Sequence, residues 1–303
     1  MSVLRVGLVQ TCSGDDPARN VDEVSTLIRR AADEGAELIA TPEVTNIVTF
    51  SRRRQHALLR TEAEDESLAA YRALATELGR PILLGSLALL ADEAAGPGDA
   101  PFVNRSLLLS TEGDVAARYD KIHMFDVEVG EGERYRESAA YRPGARAVVA
   151  DPPGGPRLGL TICYDMRFPA LYRALAEAGA QVLTAPSAFT VPTGRAHWRT
   201  LLRARAIETG CFVVAPAQTG THPASQDGAR IRRTYGHSLA VAPWGEVLAD
   251  GGEAVGVTLA DLDLDAVAEA RARVPSLANA RAFAAPEGSA QTAQTPHSAR
   301  AAE

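Results

Sequence analysis

Apolar runs and the polar breaks between them divide the chain into alternating segments of strand period and helix period. Leu4 to Thr11 is apolar and β-branched, as a buried strand requires. Asp16-Pro17 then offers an N-cap followed by a proline at the first helical position. Val21, Val24, Leu27, Ile28 and Ala31 recur on one helical face, and Gly35 closes it. Leu38 to Ala40 predicts a second strand, stopped by Pro42-Glu43. Leu68, Tyr71, Leu74, Ala75 and Leu78 predict a helix ended by Gly79, and Ile82 to Leu90 a strand. Val103 to Ser110 and Val115 to Tyr119 form a hairpin across the turn signal Thr111-Glu-Gly-Asp114. From there to Gly144 the glycine- and glutamate-rich chain predicts an irregular loop over a site.

The second half repeats the alternation. Leu158 to Cys163 reads as a buried strand, and helical period begins after Pro169 with Leu171, Leu175 and Ala178. Val182 to Ala185 is a strand, 187–197 a loop, and Trp198 to Glu208 an arginine-rich helix. Cys211 to Ala217 is a strand, and Gly236 to Ala242 with Glu246 to Ala249 a hairpin. A strand over Val255 to Ala260 and a helix over Asp263 to Arg273 complete a single domain at 1–283. Residues 284–303 hold little to bury and predict a disordered tail.

The two halves echo each other. Gly35-Ala-Glu-Leu-Ile-Ala-Thr-Pro-Glu43 aligns with Gly179-Ala-Gln-Val-Leu-Thr-Ala-Pro-Ser187, and Gly7-Leu-Val-Gln-Thr11 with Gly159-Leu-Thr-Ile-Cys163. Two strand-helix-strand units therefore predict an α/β sandwich of two similar sheets with helices outside. In this alignment Cys163 matches Thr11, whereas Cys12 has no counterpart. Cys12 and Cys211 read as structural.

Composition narrows the classes. With 303 residues and 46% hydrophobic content the chain can bury a large core. A net charge of −7 and no long basic run exclude nucleic acid as the expected partner. The cluster Ser51-Arg-Arg-Arg54 reads as a solvated loop or helix face. No stretch reaches transmembrane length, and the N-terminus leads straight into a strand, so no membrane partner or signal peptide is expected. Three cysteines, an odd number in a long chain, argue against a disulfide framework and for the cytoplasm. Among 31 basic residues Lys121 is the only lysine.

Chemistry concentrates at strand ends. Cys163 lies between a buried strand and a helix, where a helix N-terminus would favour the thiolate. A thiol nucleophile needs a base and a donor for the developing oxyanion. Glu43 and Lys121 also follow apolar strands, so the carboxylate could take the proton and the ammonium hold the oxyanion. A Cys–His pair using His123, His197 or His237 is the rival arrangement. No histidine pair has metal-ligand spacing, so no metal is expected.

Pro42-Glu43, Tyr119-Asp-Lys121-Ile-His-Met-Phe-Asp126 and Ile162-Cys163-Tyr-Asp-Met-Arg-Phe168 together resemble the carbon-nitrogen hydrolase (nitrilase) superfamily over residues 3 to 275. The resemblance implies a four-layer α-β-β-α sandwich that dimerises, works without a cofactor, and carries a Glu-Lys-Cys triad. That triad maps onto Glu43, Lys121 and Cys163, with Glu137 as a second glutamate beside the lysine. His197-Trp198, the segment 201–208 and Tyr235-Gly-His-Ser238 are most similar to the Nit-type amidases of deaminated glutathione and ω-amides. The chain departs from the family pattern at Ala170, Arg199 and Ala242. The expected activity is hydrolysis of a small linear amide bearing a carboxylate, through a thioester. N-carbamoyl amino-acid hydrolysis and nitrile hydrolysis are the alternatives. The Tyr164 N–H is the expected second oxyanion donor. Arg167, Arg173 and Arg195 are candidate anchors for the substrate carboxylate, with Phe189 and Thr190 as binding neighbours.

Overall fold

The structure is a computed structural model that describes residues 3–92, 98–129, 134–152, 154–225 and 231–284. The predicted tail lies, apart from Ala284, outside the described residues. The first half comprises β1 (Val3–Gln10), α1 (Pro17–Asp33), β2 (Leu38–Ala40), α2 (Arg52–Leu58), α3 (Glu66–Leu78), β3 (Ile82–Leu90), β4 (Phe102–Leu109) and β5 (Val115–Asp120). A small ribbon follows, β6 (Asp126–Glu128) with β7 (Arg134–Arg136). The second half comprises β8 (Val148–Ala150), β9 (Leu158–Leu160), α4 (Pro169–Glu177), β10 (Val182–Thr184), α5 (Val191–Thr209), β11 (Phe212–Ala215), β12 (Thr219–Thr221), β13 (Arg233–Tyr235), β14 (Leu239–Val241), β15 (Val247–Asp250), β16 (Gly256–Asp263) and α6 (Asp265–Arg273).

These strands form two six-stranded sheets, ordered β16-β1-β2-β3-β4-β5 and β15-β14-β11-β10-β9-β8. In each, the middle three strands run parallel and the outer ones antiparallel. The sequence echo is thus a structural one. Gly7 and Gly159 occupy matching places where a Cβ would lie 2.9 Å from Ala31 Cβ and 3.1 Å from Leu175 Cβ, respectively. Only glycine lets each first helix pack this closely on its own strand. Gly35 and Gly179 end those helices at φ of 90° and 92°.

Strand alternation decides the layers. Val6, Leu8, Leu38, Ala40 and Leu83 face the second sheet and join its core, while Val9, Ile39, Ile82 and Leu84 pack outward under α1 and α3. On the far side α4 and α5 cover the second sheet through Leu171, Tyr172, Leu175, Trp198 and Leu202. The result is an α-β-β-α sandwich. The Asp16 side chain caps α1 by accepting from the Ala18 and Arg19 N–H groups, as its position predicted.

β8 and the β12–β13 ribbon form where the sequence marked no element, and three of the segments it did mark differ from expectation. The strand before Cys163 ends at Leu160, and Cys163–Arg167 form a 3-10 turn. α5 begins two turns earlier than the apolar period indicated, at Val191. Its Pro192 and Gly194 read locally as loop residues, but proline fits a first turn. At Gly194 a Cβ would lie 2.2 Å from Tyr235 Cγ, so packing selects the glycine. The expected loop before Gly144 holds the β6–β7 ribbon and a 3-10 turn at Glu137–Ala139.

Candidate active site

Glu43 lies shortly after β2, Lys121 directly after β5, and Cys163 shortly after β9. The first two leave one sheet and the third leaves the other, so the site exists only where the sheets meet. Lys121 is placed by pairing across β4 and β5. Arg105 faces away from the site and holds Asp120 at 2.7 Å, with Glu62 and Asp92 on the same guanidinium. Asn104, its neighbour on the opposite face, points into the site.

The buried Glu43 carboxylate is fully engaged. Oε1 accepts from Lys121 Nζ at 2.9 Å and from Asn104 Nδ2 at 2.9 Å, while Oε2 accepts from the Ala188 N–H at 2.8 Å. Lys121 Nζ also donates to both Glu137 oxygens, at 3.0 and 2.8 Å. Glu137 is itself held by the Phe125 N–H at 2.6 Å and by Asn104 Nδ2 at 3.3 Å. One ammonium therefore bridges two carboxylates, with only 2% of the Lys121 side chain exposed.

Protonation follows from this arrangement. Burial alone would raise the Glu43 pKa, but the positive charges of Lys121 and Arg232 outweigh it and hold the carboxyl below its ordinary value. Burial likewise opposes the Lys121 ammonium, and the Glu137 and Glu43 charges more than offset this, raising its pKa. Burial, and then the Glu43 charge, push the Cys163 thiol well above its ordinary range. With the thiol raised and Glu43 lowered, the site rests as a protonated thiol in the same cavity as an ionised carboxylate. That corrects the expectation of a helix-stabilised thiolate. Cys163 opens a short 3-10 turn, and α4 itself starts only at Pro169.

Cys163 sits at φ 48°, in the left-handed region, and its N–H donates to Pro186 O at 2.9 Å. A non-glycine residue held there stores backbone strain, a pattern typical of reactive turns. Among the described residues no acceptor faces the Tyr164 N–H. A cavity of about 290 Å³ opens over Cys163, Glu43, Lys121 and Glu137. Phe189 and Thr190 line it, as do Arg52, Arg134, Arg136 and Arg232.

The other sequence candidates lie elsewhere. Arg167 sits beside the site, its guanidinium carbon 5.8 Å from the Tyr164 ring centre and 5.4 Å from that of Phe189. Arg173 is on the exposed face of α4, paired with Glu177 at 2.7 Å. Arg195 faces a separate small cavity with Thr219 and Glu253. Among the described residues no histidine lines the Cys163 cavity: His123 pairs with Asp165, His237 with Asp250, and His197 contacts Arg167. No group of three or more His, Cys, Asp or Glu among the described residues could hold a metal ion.

Asn104 and Arg232 belong to the site and were not singled out from the sequence. Asn104-Arg-Ser106 interrupts an otherwise apolar strand, which is a usable signal of a buried polar network. Arg232 lies in irregular chain with no local pattern to mark it. Its Nη2 donates to Ala188 O at 2.8 Å, and its buried Nε has no partner among the described residues.

Residues 5–272 match the carbon-nitrogen hydrolase family. The chain is 38% identical over 283 residues to a deaminated glutathione amidase of Yersinia enterocolitica, covering 93% of this chain and 94% of that one. It superposes on the NitFhit protein of C. elegans with a TM-score of 0.80 at 36% identity, over 93% of this chain and 66% of that one. An amidase variant from Nesterenkonia sp. AN1, with the acetamide moiety of fluoroacetamide added covalently at its active-site cysteine, matches at 27% identity and a TM-score of 0.73. That match covers 92% of this chain and 94% of the other.

Proposed function

The chain belongs to the carbon-nitrogen hydrolase family and is an amide-cleaving enzyme; from that premise we propose that it hydrolyses a small linear amide bearing a carboxylate, of the deaminated-glutathione type, with Cys163 as nucleophile. The observation that carries the reading is that the buried Cys163 thiol, Glu43 and Lys121 line one cavity, with the Lys121 ammonium 2.9 Å from the Glu43 carboxylate. In this mechanism Glu43 accepts the thiol proton as sulfur attacks the amide carbon. Lys121 and the Tyr164 N–H hold the oxyanion. The C–N bond breaks as the proton passes from Glu43 to the departing nitrogen, leaving a thioester and ammonia or an amine. Glu43 then takes a proton from water, which attacks the thioester, and the acid leaves as the thiol is restored. Glu137 keeps Lys121 charged and aimed.

Four arginines around the cavity support a substrate carboxylate, and the name of the Yersinia relative supports the acyl type. Arg232 is the anchor in this reading, because its Nε–H faces no partner among the described residues. Arg173 and Arg195 do not line this cavity. A homodimer or higher homo-oligomer accompanies the proposal on the sequence resemblance, and a cytoplasmic location on the odd cysteine count; light scattering tests the oligomer.

The test compares deaminated glutathione, α-ketoglutaramate, an N-carbamoyl amino acid and an aliphatic nitrile at equal concentration. The carboxylate-bearing amides are expected to show the highest kcat/KM, with a trapped adduct on Cys163 and no turnover by Cys163→Ala. The highest kcat/KM on the nitrile or carbamoyl compound overturns the substrate assignment. An adduct on Cys12 or Cys211 overturns the nucleophile.

A further inference from the structure

Asp165 is completely buried and sits two residues after Cys163. Its Oδ2 accepts from Tyr119 Oη at 2.7 Å and from the Ile162 N–H at 2.9 Å. Its Oδ1 accepts from the His123 N–H at 3.0 Å and lies 2.7 Å from His123 Nδ1. Tyr119 and His123 flank Lys121 symmetrically, two residues before and two residues after it. One carboxylate thus ties the turn of the nucleophile to both sides of the ammonium. His123 is fixed further by stacking on Phe168, with ring centres 3.5 Å apart. Phe168 in turn donates its N–H to Asp165 O at 2.9 Å.

The need for such a tie follows from the fold. Cys163 leaves one sheet and Lys121 the other, and the apolar contact between the sheets is non-directional. Apolar packing alone does not fix two side chains of different sheets to a few tenths of an ångström. A buried carboxylate with every oxygen engaged does, because any shift breaks short bonds that cannot be replaced by water. We infer that Asp165 is a positioning residue for the amidase reaction, setting the registry of the Cys163 sulfur against the Lys121 ammonium. The inference rests on the roles given above to Cys163 and Lys121. Asp165 touches neither substrate nor sulfur in this role, and acts through Tyr119, Ile162 and His123.

Asp165→Asn keeps the shape but turns an NH2 group toward the Tyr119 hydroxyl and the Ile162 N–H, or toward His123. The experiment counts competent sites by titration with an alkylating haloacetamide, with Cys163→Ala as the blank, and then measures turnover per titrated site. Misplacement of reacting groups by about 1 Å costs about a hundredfold in rate. Turnover per site is therefore expected to fall about a hundredfold in Asp165→Asn, with KM within threefold of wild type. Tyr119→Phe, which removes one donor and no charge, is expected to fall about fivefold, and it decides the matter if Asp165→Asn does not fold. A purely structural role would reduce the number of titratable sites and leave turnover per site unchanged. Wild-type turnover per site in Tyr119→Phe, or a rise in KM with kcat unchanged in either variant, overturns the inference. Failure of the mechanism itself is distinguishable, because it appears as turnover by Cys163→Ala.

Discussion

Removing the single lysine should separate chemistry from stability in one variant. Lys121→Met replaces the ammonium by a chain of similar length and leaves Glu43 and Glu137 facing each other inside the protein, their side chains 5% and 14% exposed. Removing one partner of a buried ion pair typically costs about 3–5 kcal/mol, because an uncompensated charge stays behind. Glu43 keeps its bonds from Asn104 and Ala188, so the low end of that range, about 3 kcal/mol, is expected near neutral pH. The pH dependence carries a definite sign. In the wild type the Glu43 pKa is lowered, so its ionised form contributes stability above its unfolded value of about 4.3, and the contribution fades as pH falls through the folded pKa. Without Lys121, the largest opposing charge is gone and burial weighs more heavily against Arg232 and the remaining donors, so the carboxyl pKa rises. The variant then loses stability as pH rises and regains it as pH falls. Urea unfolding followed by circular dichroism at about pH 7.5 and about pH 4.5 should show the gap to wild type shrinking to about half at the lower pH. Amide turnover should be absent at both. A gap below about 1 kcal/mol at the higher pH, or one that does not change with pH, refutes the reasoning that an ionised Glu43 is held by this ammonium. Adding Glu137→Gln to Lys121→Met should restore part of the stability and none of the activity.

Three further outcomes follow from the same geometry. Because burial and Glu43 raise the Cys163 pKa, its alkylation by iodoacetamide should quicken steadily from about pH 6 to about pH 9; a low-pH plateau, the mark of a resting thiolate, contradicts this. Arg232→Gln should raise KM for a carboxylate-bearing amide about ten- to a hundredfold, whereas Arg173→Gln, in its exposed pair with Glu177, should stay within about twofold; steady-state kinetics on both variants decides between them. Gly194→Ala should destabilise the protein by about 1–3 kcal/mol, since its Cβ would overlap the Tyr235 ring; an unchanged melting temperature counts against this packing.

The chain determined its elements where local physics is decisive. Asp16, Pro17 and Gly35 delimit α1, and the φ of Gly79 confirms it as the left-handed end of α3, because capping depends on residues adjacent in sequence. The repeat was legible for a similar reason. Gly7 against Ala36, and Gly159 against Ala180, meet the same close-packing demand in both halves, so small residues recur at corresponding places. Glu43, Lys121 and Cys163 were legible as strand-end chemistry and through the quoted motifs, and the structure brings them together with Glu137.

What only the tertiary structure decided depends on distances across the two sheets, which no local spacing encodes. The thiol is protonated at rest because Glu43 and burial surround it, although its strand-to-helix position alone suggested a thiolate. Asn104 joins the site because β4 pairs with β5 in the register that sets Arg105 opposite Asp120. Arg232, an unremarkable residue in irregular chain, reaches the cavity, while Arg173, six residues after the loop partner Arg167, is carried away on the outer face of α4. A side chain's chemistry is written in the sequence, but its protonation state and its partners are set by what the fold packs against it.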